Sequence, residues 1–111
     1  MQDNEILLEA KNALAIEIEA VTQLSNNLGK SFIEAVRLII RCSGRVIVIG
    51  MGKSGLVGRK ISSTLASTGT PSFFIHPAEG LHGDLGILMQ NDVVILISSS
   101  GETEEITNII P

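Results

Sequence analysis

Two short stretches concentrate the residues able to do chemistry: Gly50-Met51-Gly52-Lys53-Ser54-Gly55 and Ser98-Ser99-Ser100-Gly101-Glu102-Thr103. The first has the spacing G-x-G-x-x-G. Backbone N–H groups at the start of a helix can hold an anion there, with Lys53 adding a point charge and Ser54 a hydroxyl. Dinucleotide binding by this pattern requires an acidic residue about twenty positions on, to hold a ribose hydroxyl. Here the second predicted strand ends at Ile75-His76-Pro77, and the first acid, Glu79, falls past it. A P-loop requires a glycine separated by four residues from the Gly-Lys-Ser, and Ile47 occupies that position. Two readings remain for the first stretch: a site for a small anion, or a tight structural turn with Lys53 in solvent.

The second stretch is more specific. It closes an apolar run and opens a predicted helix, where backbone donors are unpaired. A single serine would suffice as a helix cap, whereas Ser98, Ser99, Ser100 and Thr103 place hydroxyls at four of six positions. Three hydroxyls and a glycine suit the three oxygens of a phosphate group. Glu102 has two readings, a general base tuned by a nearby lysine or a helix N-terminal acid complementing the dipole. Between the stretches, His76, Glu79, His82 and Asp84 lie within nine residues. They are candidate metal ligands, and His82 and Asp84 are equally candidates for substrate hydroxyl contacts, because loop spacing fixes no geometry.

The elements that must position these residues follow from periodicity. Residues 4–28 carry Leu7, Leu14, Val21 and Leu28 at seven-residue intervals, with Ala10, Ile18 and Leu24 between, as in an amphipathic helix. Gly29 breaks it. Ser31 with Glu34 predicts a capping box for a second helix with Phe32, Val36, Ile39 and Ile40 on one face, ending near Gly44. The period then changes. Residues 45–49 and 92–97 read as buried strands and 72–76 as a strand between them. A helix is predicted over 56–68 with Leu56, Val57, Ile61 and Leu65 facing inward, a helical turn within 76–86, and a last helix from about Thr103. Strands alternating with helices imply a parallel sheet whose ligands bind at the carboxyl ends of the strands, where both stretches fall. Three strands are few for such a sheet, so the fold reads as α/β, cut short after the third strand.

Composition supports this and excludes other classes. The 111 residues suffice for one domain, and with 44% apolar residues, three Phe and no Tyr or Trp the core must be aliphatic. Charge is uneven: residues 1–29 hold five acids against Lys11, 30–60 hold seven bases against Glu34, and 61–111 hold six acids and no Lys or Arg. The basic stretch around the glycines would attract an anion, although Arg37, Arg41 and Arg45 read as complements to a helix C-terminus. An acidic chain without aromatic interleaving argues against nucleic-acid binding. The longest uncharged run, 61–78, is too interrupted to span a membrane, and the acidic start is neither a signal nor a transit peptide. Cys42 stands alone, so it reads as a small buried residue, and a cytoplasmic location is expected.

Taken in order, GMGKSG, STGTPSFFIHP, HGDLG and SSSGETEEI resemble the sugar isomerase (SIS) domain of bacterial arabinose-5-phosphate isomerases over essentially the whole chain. The resemblance implies an SIS-type parallel sheet flanked by helices, with two N-terminal helices in residues 1–44 and a partial SIS domain in 45–111, one structural unit overall. It implies interconversion of D-arabinose 5-phosphate and D-ribulose 5-phosphate, in the pathway to Kdo and lipopolysaccharide. Ser54, Ser98, Ser100 and Thr103, with Gly52, would bind the phosphate. Lys53 would contact or polarise the sugar, Glu102 matches a catalytic acid, and His82 matches a histidine that contacts substrate or takes part in a metal site. No redox cofactor is required. Family members are tetramers with composite sites, and their domain continues with further strands, another catalytic Glu and a His, and paired CBS domains. The 111-residue chain alone is therefore expected to have little or no activity, and a non-catalytic module that binds a phosphosugar is the alternative.

Overall fold

The computed structural model describes residues 1–78, 86 and 88–98. The chain divides into two compact units, Met1–Val36 and Arg37–Pro111. The first holds helix α1 (Asp3–Asn27) and the start of α2 (Lys30–Arg41). The second holds β1 (Val46–Gly50), α3 (Gly52–Ser67), β2 (Ser72–Ile75) and β3 (Val93–Ile97).

In α1 the backbone N–H of Gln2 donates to Glu5 Oε2 at 3.2 Å, which satisfies a donor at the start of the helix. The amphipathic pattern does form a helix, yet no α1 residue is buried, and Leu7, Leu14, Val21 and Leu24 are all more than half exposed. In α2 the predicted start is off by a turn position. The helix begins at Lys30, with the Ile33 N–H bonded to the Gly29 carbonyl, so Ser31 lies inside the first turn and does not cap it. Of its predicted apolar face, Ile39 is half-buried, while Phe32, Val36 and Ile40 are exposed.

The three strands form one parallel sheet in the order β2-β1-β3. Central β1 is buried on both faces, as its unbroken β-branched run requires. Ile47 and Ile49 join Ile75 in the core on one face, with Phe73 and Leu88 packed against them. Val48 faces α3 on the other. The flanking strands are less covered, and Val94 and Leu96 of β3 are each about 40% exposed.

Helix α3 corrects the expected inward face. Leu56 and Val57 point outward, at 69% and 56% exposure, and the buried positions are Gly55, Gly58 and Ser62, with Ile61 and Leu65 half-buried. Close approach is the reason. A Cβ on Gly58 would come within 3.1 Å of both Phe74 Cε2 and Val48 Cγ1, so only glycine lets the helix lie this near the sheet. Ser62 pairs with Ser72 (Oγ to Oγ 2.9 Å), and Ser72 Oγ donates on to the Val46 carbonyl at 2.7 Å. The buried Ser62 hydroxyl and the half-buried Ser72 hydroxyl are thereby both satisfied.

Candidate functional site

Because the sheet is parallel, residues leaving the three strands share one edge. Ile49 pairs with Ile75, and Gly50 with Ile97, so Met51, His76 and Ser98 all emerge there. The glycine stretch is scarcely a loop. Gly50 ends β1, Met51 is the only residue between elements, and α3 starts at Gly52, four residues before its predicted start. Lys53 and Ser54 therefore stand in the first turn of a helix. Each glycine has its reason. Gly52 adopts φ +59°, in the left-handed region. Gly50 and Gly55 face each other: a Cβ on Gly55 would meet the Gly50 carbonyl oxygen at 2.9 Å, and one on Gly50 would meet Ser54 backbone atoms at 3.1 Å.

This geometry leaves donors at the edge. The first intrahelical bond runs from the Gly55 N–H to the Met51 carbonyl at 3.1 Å, so the N–H groups of Gly52, Lys53 and Ser54 have no partner within the helix. The residue at the cap position is Met51, which makes no side-chain capping bond. Lys53 is exposed, pairs with no described residue, and carries its charge beside those donors. Ser54 and Ser98 are half-buried. The arrangement suits a small anion, through backbone N–H groups, a helix dipole and a cation together. The structure thus brings Gly52, Lys53, Ser54 and Ser98 to one edge. The expected site residues Ser100, Glu102, Thr103 and His82, as well as Glu79 and Asp84, lie outside the described residues. Among the described residues no group of three or more His, Cys, Asp or Glu is placed to hold a metal ion.

His76 also reaches this edge. Its Nδ1 accepts the Ala78 N–H at 3.1 Å, at the point where Pro77 and Ala78 turn helical. The imidazole thereby caps a turn that begins with a buried proline, a favoured residue for the first helical position.

The opposite edge of the sheet holds a feature that sequence reasoning missed. Arg45, expected to complement a helix end, instead pairs with Asp92, Nη2 to Oδ2 at 2.8 Å. The Asp92 side chain is only 2% exposed. Its carboxylate also accepts the backbone N–H groups of Arg45 at 2.8 Å and Met89 at 2.9 Å. The Arg45 side chain foremost, then these backbone donors, hold the Asp92 carboxyl far below the usual carboxylate range. Arg45 additionally stacks over Phe73 at 4.8 Å. Half-buried Cys42 points its Sγ at the carbonyls of Asn91 and Arg45, at 3.4 and 3.6 Å. No sequence signal pairs residues 47 apart; a charge at the start of each of two adjacent parallel strands is the only hint.

With the fold and this edge described, the chain belongs to the SIS domain family, whose model matches residues 39–111. It is 48% identical over 110 residues to the arabinose 5-phosphate isomerase KdsD of Pseudomonas aeruginosa, covering 99% of this chain and 34% of the relative. It is 50% identical over 109 residues to the arabinose 5-phosphate isomerase GutQ of Escherichia coli K12, covering 97% and 34%. The chain thus spans about a third of the length of these curated relatives. A solved structure of a protein from E. coli CFT073 in complex with arabinose 5-phosphate superposes with a TM-score of 0.93 at 43% identity, covering 100% of this chain and 59% of that one.

Proposed function

We propose that this chain carries the phosphate-binding part of an isomerase that interconverts D-arabinose 5-phosphate and D-ribulose 5-phosphate. The observation that carries this reading is the uncapped start of α3, with Lys53 in its first turn and Ser98 on the same edge, in a chain about half identical to arabinose 5-phosphate isomerases. Ser54, Ser98, Ser100 and Thr103 hold the phosphate, and the left-handed turn at Gly52 aims the backbone donors of α3 at it. Lys53 stabilises the oxyanion that develops as the sugar carbonyl enolises. Glu102 removes a proton from one of the two adjacent carbons and returns it to the other through an enediol, so no net oxidation occurs and no redox cofactor is consumed. His82 contacts the substrate or holds a divalent metal. The same reading places the protein in the cytoplasm, in the synthesis of a lipopolysaccharide precursor, as a homo-oligomer whose contacts include the exposed apolar face of α1. Among the described residues no helix is long and apolar enough to cross a membrane.

Titration with arabinose 5-phosphate, ribulose 5-phosphate and NAD, alongside an isomerisation assay, tests this reading. Both pentose phosphates are expected to bind and NAD is not. Turnover by the 111-residue chain is expected to be weak or absent, since it spans a third of its relatives. Binding of NAD in preference to sugar phosphates would overturn the proposal. Sugar-phosphate binding by a longer form that never isomerises its ligand would favour a non-catalytic sensing module.

A further inference from the structure

His76 occupies a defined place relative to the two phosphate-binding stretches. The strand register sets it level with Gly50, while Ser98 stands one residue beyond the Gly50–Ile97 pair on the other side of β1. With strands about 4.8 Å apart, His76 and Ser98 flank the end of β1 at roughly 10 Å from each other.

The strand pattern indicates a face as well. A residue preceding proline is biased away from the helical region toward extended backbone, which favours continuing the pleat of β2 from Ile75 into His76. Ser72 and Phe74 face α3, Ser72 through its 2.9 Å contact with Ser62 and Phe74 through its ring beside Gly55 and Gly58. Alternation puts His76 on that same face. Gly55 lies in the part of α3 next to the Phe74 ring, and the helix begins three residues earlier, so its first turn, with Lys53 and Ser54, extends toward His76.

The imidazole is also oriented. Nδ1 is engaged as an acceptor by the Ala78 N–H, so the neutral ring carries its proton on Nε2. That Nε2–H has no partner among the described residues. A cap alone would not need it, because asparagine caps as well with one oxygen.

We propose that His76 is a substrate-contacting residue whose Nε2–H donates to a sugar hydroxyl of the bound ligand. This rests on the reading of the site as a sugar-phosphate site. The test compares the wild-type chain with H76N and H76Q by calorimetric titration with arabinose 5-phosphate and, separately, inorganic phosphate. In H76N the amide oxygen can still accept the Ala78 N–H, but the ε donor is gone. In H76Q an amide N–H returns near the Nε2 position. H76N is expected to bind arabinose 5-phosphate about tenfold more weakly, the scale of one hydrogen bond, with inorganic phosphate affinity unchanged and most of the loss recovered in H76Q. In the wild-type chain the ¹⁵N–H resonance of His76 Nε2 should shift on adding arabinose 5-phosphate and stay in place with inorganic phosphate. Wild-type affinity in H76N, an equal loss toward inorganic phosphate, or an unmoved Nε2–H resonance would each overturn the inference while leaving the sugar-phosphate site standing. A wild-type chain that binds neither ligand would overturn both.

Discussion

The two edges of the sheet are built on opposite principles. At the amino edge, Asp92 is nearly inaccessible and accepts hydrogen bonds from the Arg45 backbone, from Arg45 Nε and Nη2, and from the Met89 backbone. The chain closes there on itself: the Gly44 N–H reaches the Asn91 carbonyl, and the Val93 N–H the Arg45 carbonyl. At the carboxyl edge the same three strands end in an uncapped helix start, an exposed lysine, a half-buried serine and a histidine with one nitrogen engaged. Charge at one edge is consumed in holding the strands in register, and charge at the other is left for a ligand. Stability and binding are thus divided between the two ends of the same strands, and substitutions at each end should separate them.

The largest expected effect on stability is at the amino edge. Replacing Asp92 with Ala removes the carboxylate that Arg45 pairs with and frees two backbone donors, so the urea midpoint should fall further than for any other change named here. Affinity for arabinose 5-phosphate, measured on the folded fraction at neutral pH, should be kept. The pH dependence has a definite sign. The Asp92 carboxyl is held below its ordinary value of 3.8 in the folded chain, so its contribution to stability is complete above that pH. The contribution is lost as pH falls through and below that value, and the Asp92→Ala chain should lack this part of the acid destabilisation. A variant that melts like wild type would show that the pair holds nothing.

Overpacking between the edges should come next. Gly58→Val drives methyl groups into Phe74 and Val48, and a loss of about 1–3 kcal/mol is expected in urea unfolding. Because α3 must shift outward, its first turn moves too, and sugar-phosphate affinity should fall with stability. An unchanged affinity would mean that the start of α3 is not part of the site. The smallest stability effect belongs to Lys53→Gln, an exposed residue whose replacement should change unfolding by less than about 0.5 kcal/mol. The same change should weaken arabinose 5-phosphate binding by about tenfold or more, the scale of a charge-assisted hydrogen bond. If stability falls and binding holds, the assignment of the two edges is reversed.

Much of this was legible in the residues themselves. The β-branched run Val46–Ile49 announces a strand buried on both faces, and the glycine spacing announces a tight passage into a helix, because few other sequences satisfy either constraint. The face of α3 was not legible. Hydrophobicity put Leu56 and Val57 inside, whereas proximity to the sheet selected Gly55, Gly58 and Ser62. Pattern reading weighs the transfer of side chains from water, and it cannot see that a helix packed this close has no room for them. Likewise the seven-residue pattern of α1 specified a helix, while its burial depends on what packs against it, and within the chain no residue of α1 is buried.

The sequence by itself determined where the chain can bend, which runs must be strands, and which short stretches hold donors suited to a phosphate, because these depend on local backbone preference and on chemistry carried by adjacent residues. The tertiary structure alone decided which distant groups meet. It set Arg45 against Asp92, and it brought the start of α3, His76 and Ser98 to a single edge. Strand order and register fix those neighbours, and both arise from packing between residues remote along the chain.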